Sequence, residues 1–228
     1  MDSNINLSLT QDDMRIVLRT ITLPQRDIIN IFSKLNEDNK ERCLRYQSIT
    51  NVTLTNLLPI VKKLNSPDIK TAFVKFNAVS KNWWKDHWNE LDTYMKIQAC
   101  ISRSIPEELI EKHWHVFDVN GKGSILRYSN LSNDFIRRHW KSILLLDKIL
   151  KSHEKKLPPD LAYNLLSDIV THEQSLDEAD VELFLAKQKK VLSTTPKEML
   201  PKYLASSNKV IRDWASKLMK EHETCTEV

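Results

Sequence analysis

The dipeptide His-Trp occurs three times along the chain, and both intervals between the copies are 26 residues. The copies are His87-Trp88, His113-Trp114 and His139-Trp140. Two uncommon amino acids in one fixed register indicate a tandem repeat. A unit of this size is too small to bury its own apolar face, so neighbouring units must pack on each other.

The starts of the units are marked at the same interval, and they reveal a fourth copy that lacks His-Trp. The marker residues are Ser80, Pro106, Ser132 and Pro158. Apolar or aromatic side chains follow each marker at helical spacing, and they form one face of an α-helix. Ser is a favoured N-cap, and Pro is tolerated in a first helical turn. Each unit therefore predicts a helix, a turn and a second short helix, which together form an αα-hairpin.

The fold class follows from this pattern and from the scarcity of glycine. Only two glycines are present, whereas sheets, Rossmann units and phosphate-binding loops all use glycine in their turns. We expect an all-α protein in which tandem αα-hairpins stack as a short α-solenoid or superhelical bundle. Degenerate hairpins are predicted at 1–78, the four repeats at 79–182 and a C-terminal helical cap at 183–228, in one continuous array.

Charge and cysteine content limit the environment and the partners. The net charge of +4 comes from residues 1–140. It is too spread out along the sequence to indicate a polyanionic partner. The three cysteines have neither disulfide-framework nor zinc-ligand spacing. The longest apolar run, 143–146, is too short to span a membrane, and no signal peptide is recognisable. We expect a soluble cytoplasmic or nuclear protein without a membrane partner.

The repeated histidines raise the question of metal binding or catalysis, because histidine serves in both. They occupy equivalent positions on successive helices, however, as a packing element does. Stacked repeats would separate them by about 10 Å, too far to share one metal ion. The sequence contains no nucleophile elbow, no HExxH motif and no isolated carboxylate pair. We therefore expect no enzyme activity, no catalytic residue, no metal and no cofactor.

The best-formed unit, LSNDFIRRHW at 131–140, resembles the short repeats of large DNA viruses and phages that read roughly LSxxFIxxHxxxLxW. The resemblance covers about residues 79–170. It implies a repeat architecture and a viral source, and it assigns no activity. A viral protein that acts on a host protein is part of the function hypothesis below.

A weaker resemblance concerns the C-terminal segment 207–222, SNKVIRDWASKLMKEH. It looks like the closing helix of transcription-elongation-factor N-terminal domains or of a HEAT-type hairpin, and the segment 54–84 is similar. The shared positions are general helix-packing positions, and the tight loop of the elongation-factor domain is missing. This resemblance implies transcription machinery as the partner.

The segment Asp118–Ser129 resembles an EF-hand calcium loop. Asp118 and Gly123 match the first ligand and the turn glycine of that motif. Lys122 stands at a ligand position, and Ser129 replaces the bidentate glutamate, so calcium binding is not expected. The favoured interpretation is a turn between two helices that uses both glycines of the chain.

Exposed positions between the apolar residues of each repeat supply the candidate contacts. Each of the three His-Trp units has two neighbouring charged residues just before the histidine. The two charges are of opposite sign in the first two units, and both are positive in the third, at Arg137-Arg138. This predicts a local positive patch that could bind an acidic segment of a partner. The candidate partner-binding residues are Trp84, Lys85, Lys112, Arg137, Arg138 and Lys141.

The leading hypothesis is a non-enzymatic scaffold or adaptor for protein–protein interaction. The alternative is a nucleic-acid-binding or transcription-associated helical repeat protein, in which tryptophans stack on bases and Arg137, Arg138 and Lys141 contact phosphates. Repeated aromatic positions usually belong to the core, but the crowded segment WWKDHW at 83–88 predicts that one tryptophan is exposed. An enzyme assembled from distant residues ranks last.

Overall fold

The computed structural model describes residues 9–77, 79–102, 105–172 and 176–224. Within these ranges all regular structure is helical, and no strand is present. The predicted all-α class is therefore confirmed. Within the same ranges no helix combines the length and the apolar character needed to cross a membrane.

The chain divides into two compact units. Unit 1 is Met1–Asp118 with Tyr128–Asn130, and unit 2 is Val119–Arg127 with Leu131–Val228. The division falls inside the segment 79–182 that the sequence assigns to the four repeats.

Unit 1 is a series of short helices in which alternate helices pack together. Its helices are α1 (Gln11–Thr20), α2 (Gln25–Phe32), α3 (Glu37–Tyr46), α4 (Asn51–Lys63), α5 (Pro67–Lys75), α6 (Lys81–His87), α7 (Thr93–Ser102) and α8 (Glu107–His113). Helix α3 contacts both α1 and α5, α5 also contacts α7, and α2 contacts α4. Helices α1, α2, α3 and α5 thus each pack on the helix two places further along the chain.

Unit 2 continues with the same type of element. Its helices are α9 (Val119–Tyr128, whose last residue groups with unit 1), α10 (Asn133–His139), α11 (Leu145–Glu154), α12 (Pro159–Thr171), α13 (Glu178–Lys187), α14 (Lys189–Leu192), α15 (Leu200–Leu204) and α16 (Lys209–Thr224). Helix α11 packs on α12 and α13, α12 contacts α14, and α13 contacts α16.

The predicted helix starts are confirmed. Helices α6, α8, α10 and α12 begin directly after the four marker residues. The hydroxyl groups of Ser80 and Ser132 accept the amide hydrogens of Trp83 and Phe135 at 3.2 and 3.0 Å, as N-caps do. The sequence signal therefore identifies the first turn of each of these helices.

Each His-Trp dipeptide lies where a helix ends and the chain turns. Helices α6, α8 and α10 end at the histidine, and the tryptophan begins a one-turn 3₁₀ helix. The residue after that turn donates its amide hydrogen to the tryptophan carbonyl at 3.3 Å in all three copies. All three indoles are buried, so the packing interpretation of these tryptophans is confirmed.

The expected turn at the two glycines is wrong, because both lie inside helix α9. A Cβ atom on Gly123 would lie 2.0–2.6 Å from the carboxyl group of Asp147 on α11, so any larger residue would have to displace this buried side chain. The helical backbone also differs from a calcium-binding loop. No group of three or more His, Cys, Asp and Glu residues is placed to hold a metal within the described ranges.

A hydrogen bond recurs at the residue that follows helices α3, α9 and α13. Gln47 and Ser129 in unit 1, and Gln188 in unit 2, each donate a side-chain hydrogen at 2.8 Å to a carbonyl near the end of an earlier helix. The two glutamines also accept a backbone amide hydrogen from the turn after that earlier helix, at 2.8 and 3.0 Å. These buried bonds join the residue after a helix to the end of an earlier helix inside the same unit.

Candidate binding cleft

The tryptophan among the predicted contact residues is not on the surface. Trp84 is 2 % exposed and packs edge-on against Trp83 and Trp88, which are also buried. The Trp83 indole donates a hydrogen bond to the Thr55 hydroxyl at 2.9 Å. The expectation of an exposed tryptophan in this cluster is therefore wrong, and Trp84 is unavailable for contact with a partner.

The other five predicted residues are exposed but belong to two different units. Lys85 and Lys112 lie on α6 and α8 of unit 1, whereas Arg137, Arg138 and Lys141 lie in unit 2. Neither unit alone holds the complete set. The partner-binding role of these residues stays a prediction.

Arg137 already has two carboxylate partners. Its guanidinium donates to both carboxyl oxygens of Asp160 at 2.7 and 3.0 Å and to Asp134 at 2.7 Å. These hydrogen bonds raise the pKa of Arg137 and lower the pKa of Asp160. The two carboxylates neutralise much of the Arg137 charge in the expected positive patch. The pair with Asp160 connects α10 to the first turn of α12.

Lys141 lines an open cleft in unit 2, between the end of α10 and helices α11 and α12. The cleft has a volume of about 640 Å³, and Trp140 and Lys148 form part of its wall together with the α12 side. This is the volume of a site for a few side chains or a small molecule. Among the predicted contact residues, Lys141 is the one that lies in this cleft.

The polar part of the cleft is a fixed group of three side chains. The Lys148 ammonium lies 2.8 Å from a carboxyl oxygen of Asp168 and 4.6 Å from the centre of the Trp140 ring. The Trp140 indole donates to the same carboxyl oxygen at 3.2 Å. Because Lys148 is buried and paired, this group shapes the cleft wall and its charge is largely neutralised.

The mouth of the cleft is apolar and positively charged. Leu144, the N-cap of α11, lines the cleft and is 49 % exposed. Lys141 is exposed and forms no ion pair with any described residue. His172 lies on the α12 side of the same cleft. Leu144 and Lys141 therefore place an apolar side chain and an unpaired ammonium group together at the mouth of the cleft.

Cys43, Cys100 and His113 lie in unit 1, outside this cleft. Burial raises the pKa of the Cys43 and Cys100 thiols to about 12, so neither is a ready nucleophile. Burial, and secondarily the neighbouring cations Lys96 and Lys112, lower the pKa of His113. This histidine lies against the Trp88 ring, with 6.2 Å between ring centres, in a packing position.

The sequence interpretation missed Leu144, Lys148 and Asp168. A signal was present, since Lys148 and Asp168 interrupt apolar runs on α11 and α12. Their meeting could not be deduced, because their separation does not match the repeat. No protein-family model, curated protein or solved structure matches the chain. The geometry of the cleft is therefore the basis for a functional proposal.

Proposed function

We propose that the protein is a non-enzymatic interaction scaffold of stacked αα-hairpins, and that the unit 2 cleft binds an extended segment of a partner protein. The segment carries an acidic side chain beside a large apolar one. The resemblance to viral repeats makes a host protein the expected source of this segment.

Regular packing of alternate helices within unit 1 supports the scaffold part of the proposal. Besides the recurring packing of alternate helices in unit 1, an amide side chain at the first residue of a helix accepts the N-cap amide hydrogen of the helix two places on. These pairs are Gln11 with Asn36, Gln25 with Thr50, and Asn51 with Ser80, at 3.0, 3.0 and 3.4 Å. A repeated inter-hairpin contact of this kind is typical of a solenoid.

The observation that carries the binding proposal is the exposed pair Leu144 and Lys141 at the mouth of a cleft with a rigid wall. An apolar side chain of the partner would bury Leu144, and a carboxylate would pair with Lys141. The Lys148–Asp168 pair holds the Trp140 ring in place, so little ordering is needed when the segment binds.

A peptide selection tests this proposal. The full chain is immobilised and used to select phage-displayed random peptides, and the selected peptides are titrated against wild type and a K141E/L144D variant. We expect peptides with a carboxylate next to a large apolar residue, and at least tenfold weaker binding to the variant, which corresponds to about 1.4 kcal/mol.

The matched control is L183D/K187E on α13, which makes the same charge change at another exposed Leu and Lys of unit 2. This variant should bind the selected peptides like wild type. Circular dichroism checks that both variants stay folded. Failure to enrich peptides, or equal affinity for K141E/L144D, would show that the cleft is not a peptide site.

A further inference from the structure

Two cation–aromatic pairs lie near the C-terminal ends of helices α1, α3 and α5 in unit 1. The Arg19 guanidinium carbon of α1 lies 5.5 Å from the centre of the Tyr46 ring at the end of α3. The Arg45 guanidinium carbon of α3 lies 4.7 Å from the Phe76 ring that follows α5. Each pair joins one helix to the next helix that packs on it, so the same arrangement occurs twice in register.

Both rings remain open to a ligand. Tyr46 is 53 % exposed and Phe76 is 39 % exposed even with the guanidinium groups over them. The tryptophans of WWKDHW, which the sequence suggested for base stacking, are buried. Tyr46 and Phe76 therefore offer ring surface beside positive charge, and no sequence motif had singled them out.

The same edge of unit 1 has an excess of positive charge. From the fifth residue onward, helices α1, α3 and α5 contain one carboxylate, Glu41, which pairs with Arg45 at 2.6 Å. Their cations are Arg15, Arg19, Arg42, Arg45 and Lys75. Cations at helix C-termini also interact favourably with the helix dipole. That interaction does not require exposed aromatic rings beneath the cations.

Arg42 supplies a second, independent observation. Its Nε atom is buried without a hydrogen-bond partner, and no described residue pairs with its guanidinium. Arg42 lines a small pocket of about 200 Å³ with Tyr46 and Arg45, in which Asp38 and Glu41 are the acidic residues. A guanidinium has five donor hydrogens, and a buried donor without an acceptor is costly. The Nε atom is enclosed by protein, so an anionic ligand beside Tyr46 would instead accept hydrogen bonds from the terminal guanidinium nitrogens, which no described residue pairs with.

We propose that this edge of unit 1 binds single-stranded nucleic acid, a function separate from the peptide cleft of unit 2. Phosphates contact Arg19 and Arg42, while bases stack on Tyr46 and Phe76 or on their guanidinium partners. A single strand is required because the bases of a duplex are stacked on one another and do not reach an exposed ring.

Fluorescence anisotropy with labelled oligo(dT) and oligo(U) tests this proposal on the full chain. We expect both to bind, with an affinity that falls steeply as salt is raised from about 50 to about 200 mM. The R19A/R42A variant should bind at least tenfold more weakly and lose part of the salt dependence. The Y46A/F76A variant should also bind about tenfold more weakly while keeping the salt dependence.

Two controls separate this edge from general electrostatics. K62A/K63A removes two exposed charges from α4 of the same unit, and Y94A removes an exposed ring that is 39 % exposed, like Phe76. Both should bind like wild type. The proposal is overturned if neither oligonucleotide binds at low salt, if K62A/K63A loses as much as R19A/R42A, or if Y46A/F76A binds like wild type. Displacement of the oligonucleotide by an equal charge of poly-glutamate would also overturn it, because that edge would then accept any polyanion.

Discussion

Trp88 in unit 1 and Trp140 in unit 2 occupy the same position of the repeat but have different surroundings. Both begin a 3₁₀ turn after a histidine, and both are buried. The Trp88 indole nitrogen is buried and has no hydrogen-bond partner among the described residues. The Trp140 indole donates to Asp168, lies under the Lys148 ammonium and borders the cleft.

The comparison shows that the position in the repeat determines where an aromatic residue packs. The neighbouring helices determine which hydrogen-bond partner its polar atom has. Asp168 and Lys148 lie on helices α12 and α11, and their side chains turn a packing position into the wall of a site. Repeated residues therefore account for packing positions, whereas the residues around them differ from unit to unit, and the proposed function rests on those residues.

The largest effect is expected at the buried ring of unit 1. Trp88→Ala should destabilise the protein by about 3–5 kcal/mol, because Trp88 is 1 % exposed and a large cavity remains. Trp140→Ala should cost less, since this ring is 9 % exposed and water can enter from the cleft. Urea unfolding followed by circular dichroism measures both. Equal or inverted losses would contradict the comparison.

The next largest effect concerns the buried hydrogen bonds of Gln47 and Gln188, which are alike in the two units. Gln47→Ala and Gln188→Ala each remove two or more buried hydrogen bonds to the backbone, at a cost of about 2–4 kcal/mol. The two losses should agree within error in the same urea assay. A loss in only one unit would mean that the hairpins do not stack in an equivalent way.

A close contact in unit 2 gives the third effect. Gly123→Ala should destabilise by about 1–3 kcal/mol, because its Cβ would displace the buried Asp147 carboxyl group. In an Asp147→Ala background the same change should stabilise the protein by up to about 1 kcal/mol, since alanine favours a helix more than glycine. Destabilisation in both backgrounds, measured by urea unfolding, would rule out the Asp147 contact as the cause.

A smaller effect tests the indole nitrogens directly. Trp140→Phe should cost about 1 kcal/mol more than Trp88→Phe, because only Trp140 loses a hydrogen bond to a carboxylate. Both changes remove a similar part of the ring. Thermal unfolding of the two variants is compared, and a larger loss at Trp88 would show that its indole nitrogen has a partner.

The smallest effect is expected at the exposed pair of Arg137 and Asp160. Arg137 lowers the pKa of Asp160, so the pair contributes stability above the unfolded pKa of about 4, and this contribution is lost as pH falls through the lower folded pKa. Arg137→Ala should therefore lower Tm slightly at pH 7, and the difference from wild type should vanish near pH 2. Lys85→Ala, an exposed change in unit 1, is the control. A large loss, or one that persists in acid, would assign Arg137 a different role.

The all-α class, the helix starts and the burial of the repeated tryptophans could be predicted because all depend on local spacing. The helical position of Gly123 could not, since glycine signals a turn until Asp147 is known to approach it. Gln47 and Gln188 were missed because insertions remove them from the 26-residue register. The pairing of Arg137 with Asp160, 23 residues away, likewise depends on how hairpins meet in space.

Hydrogen exchange of the full chain, with and without a peptide from the selection, tests the central claim most directly. The account predicts slower amide exchange in 140–148 and 164–172, which line the cleft, and unchanged exchange in α13 and throughout α1–α5. Protection confined to other helices, or no protection at a saturating peptide concentration, would contradict the claim that this cleft is where the scaffold binds its partner.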